Sequence, residues 1–132
     1  MSIELTAEQK VERIRTLNDL ARKNPGVAGR AVMTAGFAAR EDLDHHAAIT
    51  LIMAFNQFDE GNDPHGEHDF GAIYRLPSGE WVPRRPEDKK PIAETIFWKI
   101  DCYDNALEFG SEAPWDAERT TRVLTIMLAS EY

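Results

Sequence analysis

The residues best suited to chemistry lie together at positions 62–71, in the segment NDPHGEHDFG. These ten residues include two histidines, three acidic residues, two glycines and a proline. A histidine beside carboxylates can transfer protons near neutral pH, and the same side chains can hold a metal ion. Ionisable side chains among turn-forming residues are typical of a functional loop on a rigid scaffold. We call residues 62–71 the central segment and treat it as the candidate site.

Metal binding is the first chemistry that the central segment could support. His65 and His68 could supply two nitrogen ligands to zinc, and Asp101 and Asp104 could join them from a neighbouring strand end. No HExxH metalloprotease signature occurs, and the His65-x-Glu67 element lacks the PCxxC that completes a deaminase site. We therefore predict no metal and no cofactor.

Other well-defined chemistries fail on spacing. If Asp59 is placed first in a calcium loop, Pro64 falls where glycine is required and Phe70 where the bidentate glutamate belongs. A covalent nucleophile lacks support, because no Gly-x-Ser-x-Gly element occurs and Cys102, the single cysteine, falls on the apolar side of a strand pattern. The glycines also lack the spacing and the lysine of a phosphate-binding loop.

Three interpretations of the central segment remain open besides metal binding, which is less favoured than an architectural or an acid–base role. The favoured interpretation is an architectural turn, in which Asn62 and Asp63 would bond their own backbone and Pro64 would fix φ. As a general acid–base site it has four candidate residues, none of which we assign a role: Glu67, His68, Asp69 and Asp101. As a binding surface it has a wider predicted set: Asn62, Asp63, Glu67, His68, Asp69, Asp101, Tyr103 and Asp104.

Charge and composition limit the function classes. With 15 basic and 23 acidic residues, the net charge is −8. Nucleic acids and anionic membranes need a cationic face, so we predict direct binding to neither. The N-terminus lacks an apolar signal core and no apolar run has the length of a membrane span, which predicts a cytoplasmic protein. A basic protein surface is a fitting partner for so acidic a chain.

The elements before the central segment are predicted to be two helices and a strand. Thr6 and Gln9 form a capping-box pattern, and the amphipathic helix that follows ends at residues 24–26. Its apolar stripe should be buried, and its charged residues fall on the other face: Glu12, Arg13, Arg15, Asp19 and Arg22. Residues 30–37 predict a buried strand, and residues 42–57 a second helix on which His45 and His46 face solvent.

The elements after it are predicted to be strands and a closing helix. Residues 70–76 and 80–82 predict two strands joined by a turn, and residues 83–91 an exposed loop that forms the one local basic patch. Residues 94–103 make the strongest strand pattern, with two alternating sides. Ile96, Trp98, Ile100 and Cys102 should face the core; Phe97, Lys99, Asp101 and Tyr103 should border solvent or a partner. Residues 116–129 predict a last helix capped by Asp116.

These elements predict a single domain, residues 1–132, of the α+β class. We expect a small antiparallel sheet of three to four strands with about three helices packed against it.

Three blocks of the sequence resemble an uncharacterised bacterial domain-of-unknown-function family found on alphaproteobacterial plasmids and other mobile elements. The blocks are FNQFDEGNDPHGEHDFG, IFWKIDCYDNALEFGSE and TTRVLTIMLASEY. The residues that match the family's two motifs are Asn62, Asp63, Pro64, Gly66, Glu67, His68, Asp69, Phe70 and Gly71, and then Trp98, Lys99, Ile100, Asp101, Tyr103 and Asp104.

The chain departs from the family pattern in two places. Residues 83–91 look like an insertion. The family often has an aromatic residue at the position of His65, so His68 is the stronger candidate for a ligand or a base. The resemblance implies mobile-element biology in the bacterial cytosol, where small acidic proteins often inhibit host defence complexes. It implies no established activity.

We therefore interpret the chain as an acidic protein-binding accessory protein, monomeric or homodimeric, and as a candidate inhibitor of a defence complex that binds nucleic acid. The residues that would face a basic groove of the partner are Glu67, Asp69, Asp101, Asp104 and Glu108. The alternative is a small metal-dependent or acid–base hydrolase centred on His68, Glu67, Asp69 and Asp101. A third possibility is a homodimer formed through Phe97 and Tyr103.

Overall fold

A five-stranded mixed sheet forms the centre of the fold in the computed structural model, which describes residues 4–87 and 90–132. The strands are β1 Arg30–Met33, β2 Phe70–Arg75, β3 Trp81–Val82, β4 Glu94–Tyr103 and β5 Thr121–Leu128. Their order in the sheet is β1-β5-β4-β2-β3. The β1–β5 pair is parallel and the other three pairs are antiparallel.

Three α-helices pack on one face of this sheet. They are α1 Ala7–Lys23, α2 Ala35–Ala39 and α3 His45–Met53. Their buried residues join alternate residues of β2, β4 and β5 in one apolar core that includes Phe37, Ile52, Ile73, Trp98 and Leu124. The α+β class and the number of helices agree with the sequence prediction. The sheet has five strands rather than the three to four expected, and it is mixed rather than antiparallel because β1 pairs parallel to β5.

The capping box of α1 is confirmed. The backbone N–H of Gln9 donates to the Thr6 hydroxyl at 3.1 Å, and the Gln9 side chain accepts from the Thr6 N–H at 2.9 Å. The helix ends where the Asn24 N–H bonds the Leu20 carbonyl. The prediction for its charged face is wrong at Arg22, which is only 1% exposed. A helical pattern scores arginine as polar, but a guanidinium can be buried where carboxylate, carbonyl and aromatic partners surround it.

The segment between α1 and the central segment differs from its prediction. Residues 30–33 form an exposed strand rather than a buried one. β1 lies at the edge of the sheet, where β5 is its one neighbouring strand. The Thr34 hydroxyl then accepts from the Phe37 N–H and starts α2. His46 is exposed as predicted, whereas His45 is half-buried and its Nε2 bonds the Phe37 carbonyl at 2.8 Å.

The predicted closing helix is wrong. Residues 121–128 form β5, and Asp116 caps only a short 3-10 turn, Ala117–Arg119. The apolar residues of this stretch fit both a helical stripe and a strand. The stretch forms a strand because it pairs with β4 along its whole length. Arg122, Leu124 and Ile126 alternate into the helix-covered side of the sheet.

The other strand predictions hold to within one residue. β4 has the predicted bounds, and Ile96, Trp98 and Ile100 are buried on the helix-covered side. Cys102 continues that side but is half-buried. In the loop at residues 83–91, Arg84 and Arg85 are exposed, while residues 88 and 89 lie outside the described residues. In the described part of the chain, no helix has both the length and the apolarity needed to cross a membrane.

Candidate functional site

The central segment is a tight turn organised by Asp63, which is 9% exposed. Its carboxylate Oδ1 accepts from the backbone N–H groups of Glu67 at 3.0 Å and His68 at 3.2 Å. Its carbonyl accepts from the Gly66 N–H at 3.1 Å. These bonds hold both Gly66 and His68 at positive φ, 69° and 54°, and the second value is unusual for a residue with a side chain. Asp63 is therefore used as an architectural residue.

His68 ties this turn to α1. Its Nδ1 lies 2.9 Å from Asp19 Oδ1, and its Nε2 lies 3.7 Å from Asp63 Oδ2. Because a carboxylate can only accept, the Asp19 contact places a proton on Nδ1. The imidazole also stacks on Phe58, with ring centroids 3.7 Å apart and planes 4° apart. Both ring nitrogens thus face carboxylates, and the ring is held in place from two sides.

Asp19 joins His68 to the buried Arg22. The Arg22 Nη1 donates to the same Oδ1 at 2.8 Å, and its Nη2 donates to the Phe55 carbonyl at 3.1 Å. The guanidinium lies 5.3 Å from the ring centroids of both Phe58 and Trp98. Burial alone would raise the pKa of Asp19, but the bonds from Arg22 and His68 outweigh it and hold that pKa below its ordinary value.

Asn18, the neighbouring residue of α1, makes a second buried connection. Its Nδ2 donates to the Glu67 carbonyl at 2.9 Å, and its Oδ1 accepts from Arg122 Nε at 2.7 Å. The Arg122 Nη2 also donates to the carbonyl of Pro114. Sequence reasoning missed this role of α1. The one available signal was a polar amide at position 18, between the apolar residues Leu17 and Ala21.

Glu67 and Asp69 form a partly buried acidic pair beside the end of β4. Burial raises the pKa of Glu67, and the Asp69 carboxylate raises it further. Burial also raises the pKa of Asp69, with Asp63 and Asp101 adding to the effect, although a backbone hydrogen bond opposes it. Cys102 lies near enough to share this field, and its thiol pKa is raised mainly by burial. Within the predicted site, Glu67 and Asp69 are therefore the two acids whose pKa values are raised.

The remaining predicted residues do not converge on His68. Asn62 bonds the Gln57 carbonyl at 2.7 Å, and Asp101 pairs with Lys99 at 3.1 Å on the sheet face without helices. Tyr103 shares that face, and Asp104 caps the turn that follows. Within the described residues, no three His, Cys, Asp or Glu side chains are arranged to hold a metal ion.

A protein-family model described as "Protein of unknown function (DUF3768)" matches residues 33–131 of the chain. The chain belongs to this DUF3768 family. No curated protein and no solved structure gives a significant match.

The DUF3768 match covers the central segment and β2 to β5 but starts after α1. The three residues of α1 that hold the central segment therefore lie outside the matched region: Asn18, Asp19 and Arg22. In this DUF3768 protein the matched region is completed by a helix that precedes it.

The raised pKa of Glu67 makes stability depend on pH. An acid with a higher pKa in the folded chain binds its proton more tightly there, so the free energy of unfolding falls as pH rises through the range above the ordinary value of 4.5. We expect Glu67→Gln to raise Tm at pH 7 relative to the parent protein. The gain should vanish well below pH 4.5, where Glu67 is protonated in both the folded and the unfolded chain.

Thermal denaturation followed by circular dichroism across this pH range measures the effect. Glu60→Gln, which removes the same charge from an exposed position, is the matched control and should give no such pH-dependent gain. A Tm gain for Glu67→Gln that is the same at every pH would contradict the assignment to titration of this carboxyl.

Proposed function

We propose that this DUF3768 protein is a protein-binding accessory protein that docks onto a basic partner surface. The docking site is an acidic patch at the end of β4, made of Asp101, Tyr103, Asp104, Glu108 and Phe109. The observation that carries the proposal is the exposure of Phe109, a large aromatic side chain that is 71% exposed.

Phe109 is presented by a well-bonded turn. The Asp104 N–H donates to the Phe109 carbonyl at 2.8 Å, and the Asp104 carboxylate accepts from the Glu108 N–H at 3.0 Å. Gly110 then forms a bridge back to Tyr103 in β4. A rigid turn loses little conformational entropy on binding, and an exposed aromatic ring with a polar rim is the usual composition of an interaction hot spot.

The charge around Phe109 selects the kind of partner. Asp104 and Glu108 lie in the same turn as Phe109, and Asp101 precedes them in β4. Two cations, Lys99 beside Asp101 and Arg119 beside Phe109, offset part of this negative charge. With a net charge of −8, the chain would attract a basic surface and repel a polyanion. A groove that normally holds nucleic acid is such a surface, so we extend the proposal to inhibition of a nucleic-acid-binding defence complex.

The central segment supports this choice over catalysis. His68 and its two carboxylate partners are already used: Asp63 holds the turn, and Asp19 joins the turn to α1. A hydrolase has one observation in its favour, the raised pKa values of Glu67 and Asp69. Stoichiometric zinc, manganese or magnesium in the purified protein, or a Tm increase on adding these ions, would favour the hydrolase over the binding protein.

We expect Phe109→Ala to weaken partner binding about tenfold or more, the effect of truncating a hot-spot aromatic. The measurement is affinity capture from a bacterial lysate at low salt, followed by titration of the recovered partner. Val27→Ala, which truncates a side chain that is 85% exposed elsewhere, is the matched control and should bind as the parent does.

Charge reversal tests the electrostatic part of the proposal. Glu108→Lys should reduce the association rate and flatten its dependence on salt. Glu12→Lys makes the same charge change at an exposed position of α1 outside the patch and should have the smaller effect. Recovery of no partner at low salt, or a partner that binds Phe109→Ala and the parent equally, would contradict the proposal.

A further inference from the structure

The second strand of the β2–β3 hairpin is unusually short. β3 contains Trp81 and Val82, and these two residues pair with Arg75 and Tyr74 of β2. Pro83 follows directly and ends the pairing, because proline has no N–H to donate and its ring fixes φ. Between residues 70 and 73, the side of β2 that faces away from β4 therefore has no strand beside it in the described part of the chain.

This leaves backbone groups of β2 available. The Ile100 N–H of β4 donates to the Asp69 carbonyl at 2.8 Å, which identifies residues 69 and 100 as a hydrogen-bonded pair. Hydrogen-bonding direction alternates along an antiparallel strand, so the N–H and C=O groups of Phe70 and Ala72 point away from β4. Among the described residues, no backbone partner is recorded for them on that side.

A groove of about 670 Å³ runs along this free edge. One wall is the segment at residues 55–62, and the other is the start of the loop after β3. Its lining is largely aromatic and basic and includes Phe55, Phe58, Tyr74, Phe97, Arg84 and Arg85. The groove thus combines apolar side-chain contacts with an unpaired strand edge.

The groove has a charge opposite to that of the whole chain. Arg84 and Arg85 are exposed, and Arg84 Nε donates to a neutral group, the Gln57 side-chain carbonyl, at 2.7 Å. Among the described residues that line the groove, Asp59 is the one carboxylate, and it already accepts from the backbone N–H groups of residues 61 and 62. In a protein of net charge −8, this is a local site for an acidic ligand.

We propose that the groove binds an extended acidic peptide segment of a partner protein, which adds a strand to β2 beside Phe70 and Ala72. Main-chain hydrogen bonds to these residues supply affinity, alternate side chains contact the aromatic walls, and acidic side chains pair with Arg84 and Arg85. This surface is separate from the acidic patch around Phe109 and goes beyond the function proposed above. A single-stranded nucleic acid would also find aromatic rings and arginines here, but it cannot use the strand edge.

Selection from a phage-displayed library of random dodecapeptides on the full chain tests the proposal. We expect the recovered peptides to carry acidic residues among alternating apolar ones. A synthetic fluorescent copy should bind saturably in an anisotropy titration. Binding should slow hydrogen exchange at the amides of Phe70 and Ala72, because these N–H groups become bonded.

Two arginine reversals, Arg84→Glu and Arg85→Glu, should each weaken the peptide about fivefold, the scale of one exposed ion pair. Arg13→Glu, an equal charge change at an exposed position of α1, should leave binding unchanged. Unchanged circular dichroism spectra show that the variants are folded.

Four results would overturn the proposal. They are a selection that returns no binding peptide, exchange that stays fast at Phe70 and Ala72, equal binding by the arginine reversals and the parent, and binding of oligothymidine in place of peptide at this groove.

Discussion

Replacing Arg22 with alanine should lower the free energy of unfolding by about 3–5 kcal/mol, the range for removing one partner of a buried ion pair. Arg22 is 1% exposed and carries the hydrogen bonds to Asp19 and the Phe55 carbonyl. Its loss leaves the Phe55 carbonyl without this donor and Asp19 with His68 alone, and it removes the guanidinium that lies 5.3 Å from the ring centroids of Phe58 and Trp98. Arginine and alanine both favour helices, so intrinsic helix propensity contributes little to the change.

Urea unfolding followed by tryptophan fluorescence measures this change. Arg13→Ala makes the same substitution at an exposed position of the same helix and should change stability by less than about 0.5 kcal/mol. Arg22→Met keeps much of the packing but not the bonds, so its stability should lie between those of the parent and Arg22→Ala. If Arg22→Ala were as stable as Arg13→Ala, the buried connection between α1 and the central segment would not stabilise the fold.

Gly71→Ala should destabilise the protein by about 3 kcal/mol, the upper part of the range for overpacking a core. Gly71 pairs with Trp98 across β2 and β4, and the indole lies against the glycine backbone. A Cβ at residue 71 would come within 2.5 Å of Trp98 Nε1 and 2.7 Å of two ring carbons. The indole is fully buried and contacts Phe55 and Phe58 edge to face, so moving it away from residue 71 would disturb these contacts.

The matched control for this variant is Gly110→Ala, whose added Cβ would meet its nearest atom at 4.0 Å. Thermal unfolding should show a large fall in Tm for Gly71→Ala and little change for Gly110→Ala. Trp98→Phe in the same chain should recover part of the loss, because the smaller ring leaves room for the methyl group. Additive effects of the two substitutions would show that the clash with Trp98 is not the cause.

Gly71 and Arg22 show why the sequence predicted the strands beside the site correctly but not the contacts of α1. Gly71 and Trp98 fall in strand patterns whose alternation is local, and β4 was predicted with its observed bounds. Arg22 was placed on the solvent face, because a helical pattern cannot show that aromatic rings and a carbonyl from distant segments surround it. The capping box of α1 and the turn between β2 and β3 were predictable for the same reason as β4, since each depends on residues a few positions apart.

The closing strand shows a different limit. Residues 121–128 carry an apolar pattern that fits a helix and a strand alike, and the free edge of β4 resolves it. The separation of the predicted site residues also depends on the tertiary structure. Asp63 and Glu67 lie in the turn, while Asp101 and Tyr103 face the side of the sheet without helices, because successive residues of a strand point to opposite faces.

By itself the sequence determined the α+β class, the capped first helix, the β2–β3 hairpin, β4 and the turn chemistry of the central segment. Only the tertiary structure decided what that segment contacts: His68 meets Asp19 across 49 positions, and Asn18 meets Arg122 across 104. It also decided that the pairing of β3 stops at Val82 and leaves a free edge on β2, and that Phe109 is exposed in the turn that Asp104 caps. The reason is physical: local periodicity and capping depend on neighbours in the chain, whereas burial and ion pairing depend on which distant surfaces pack together.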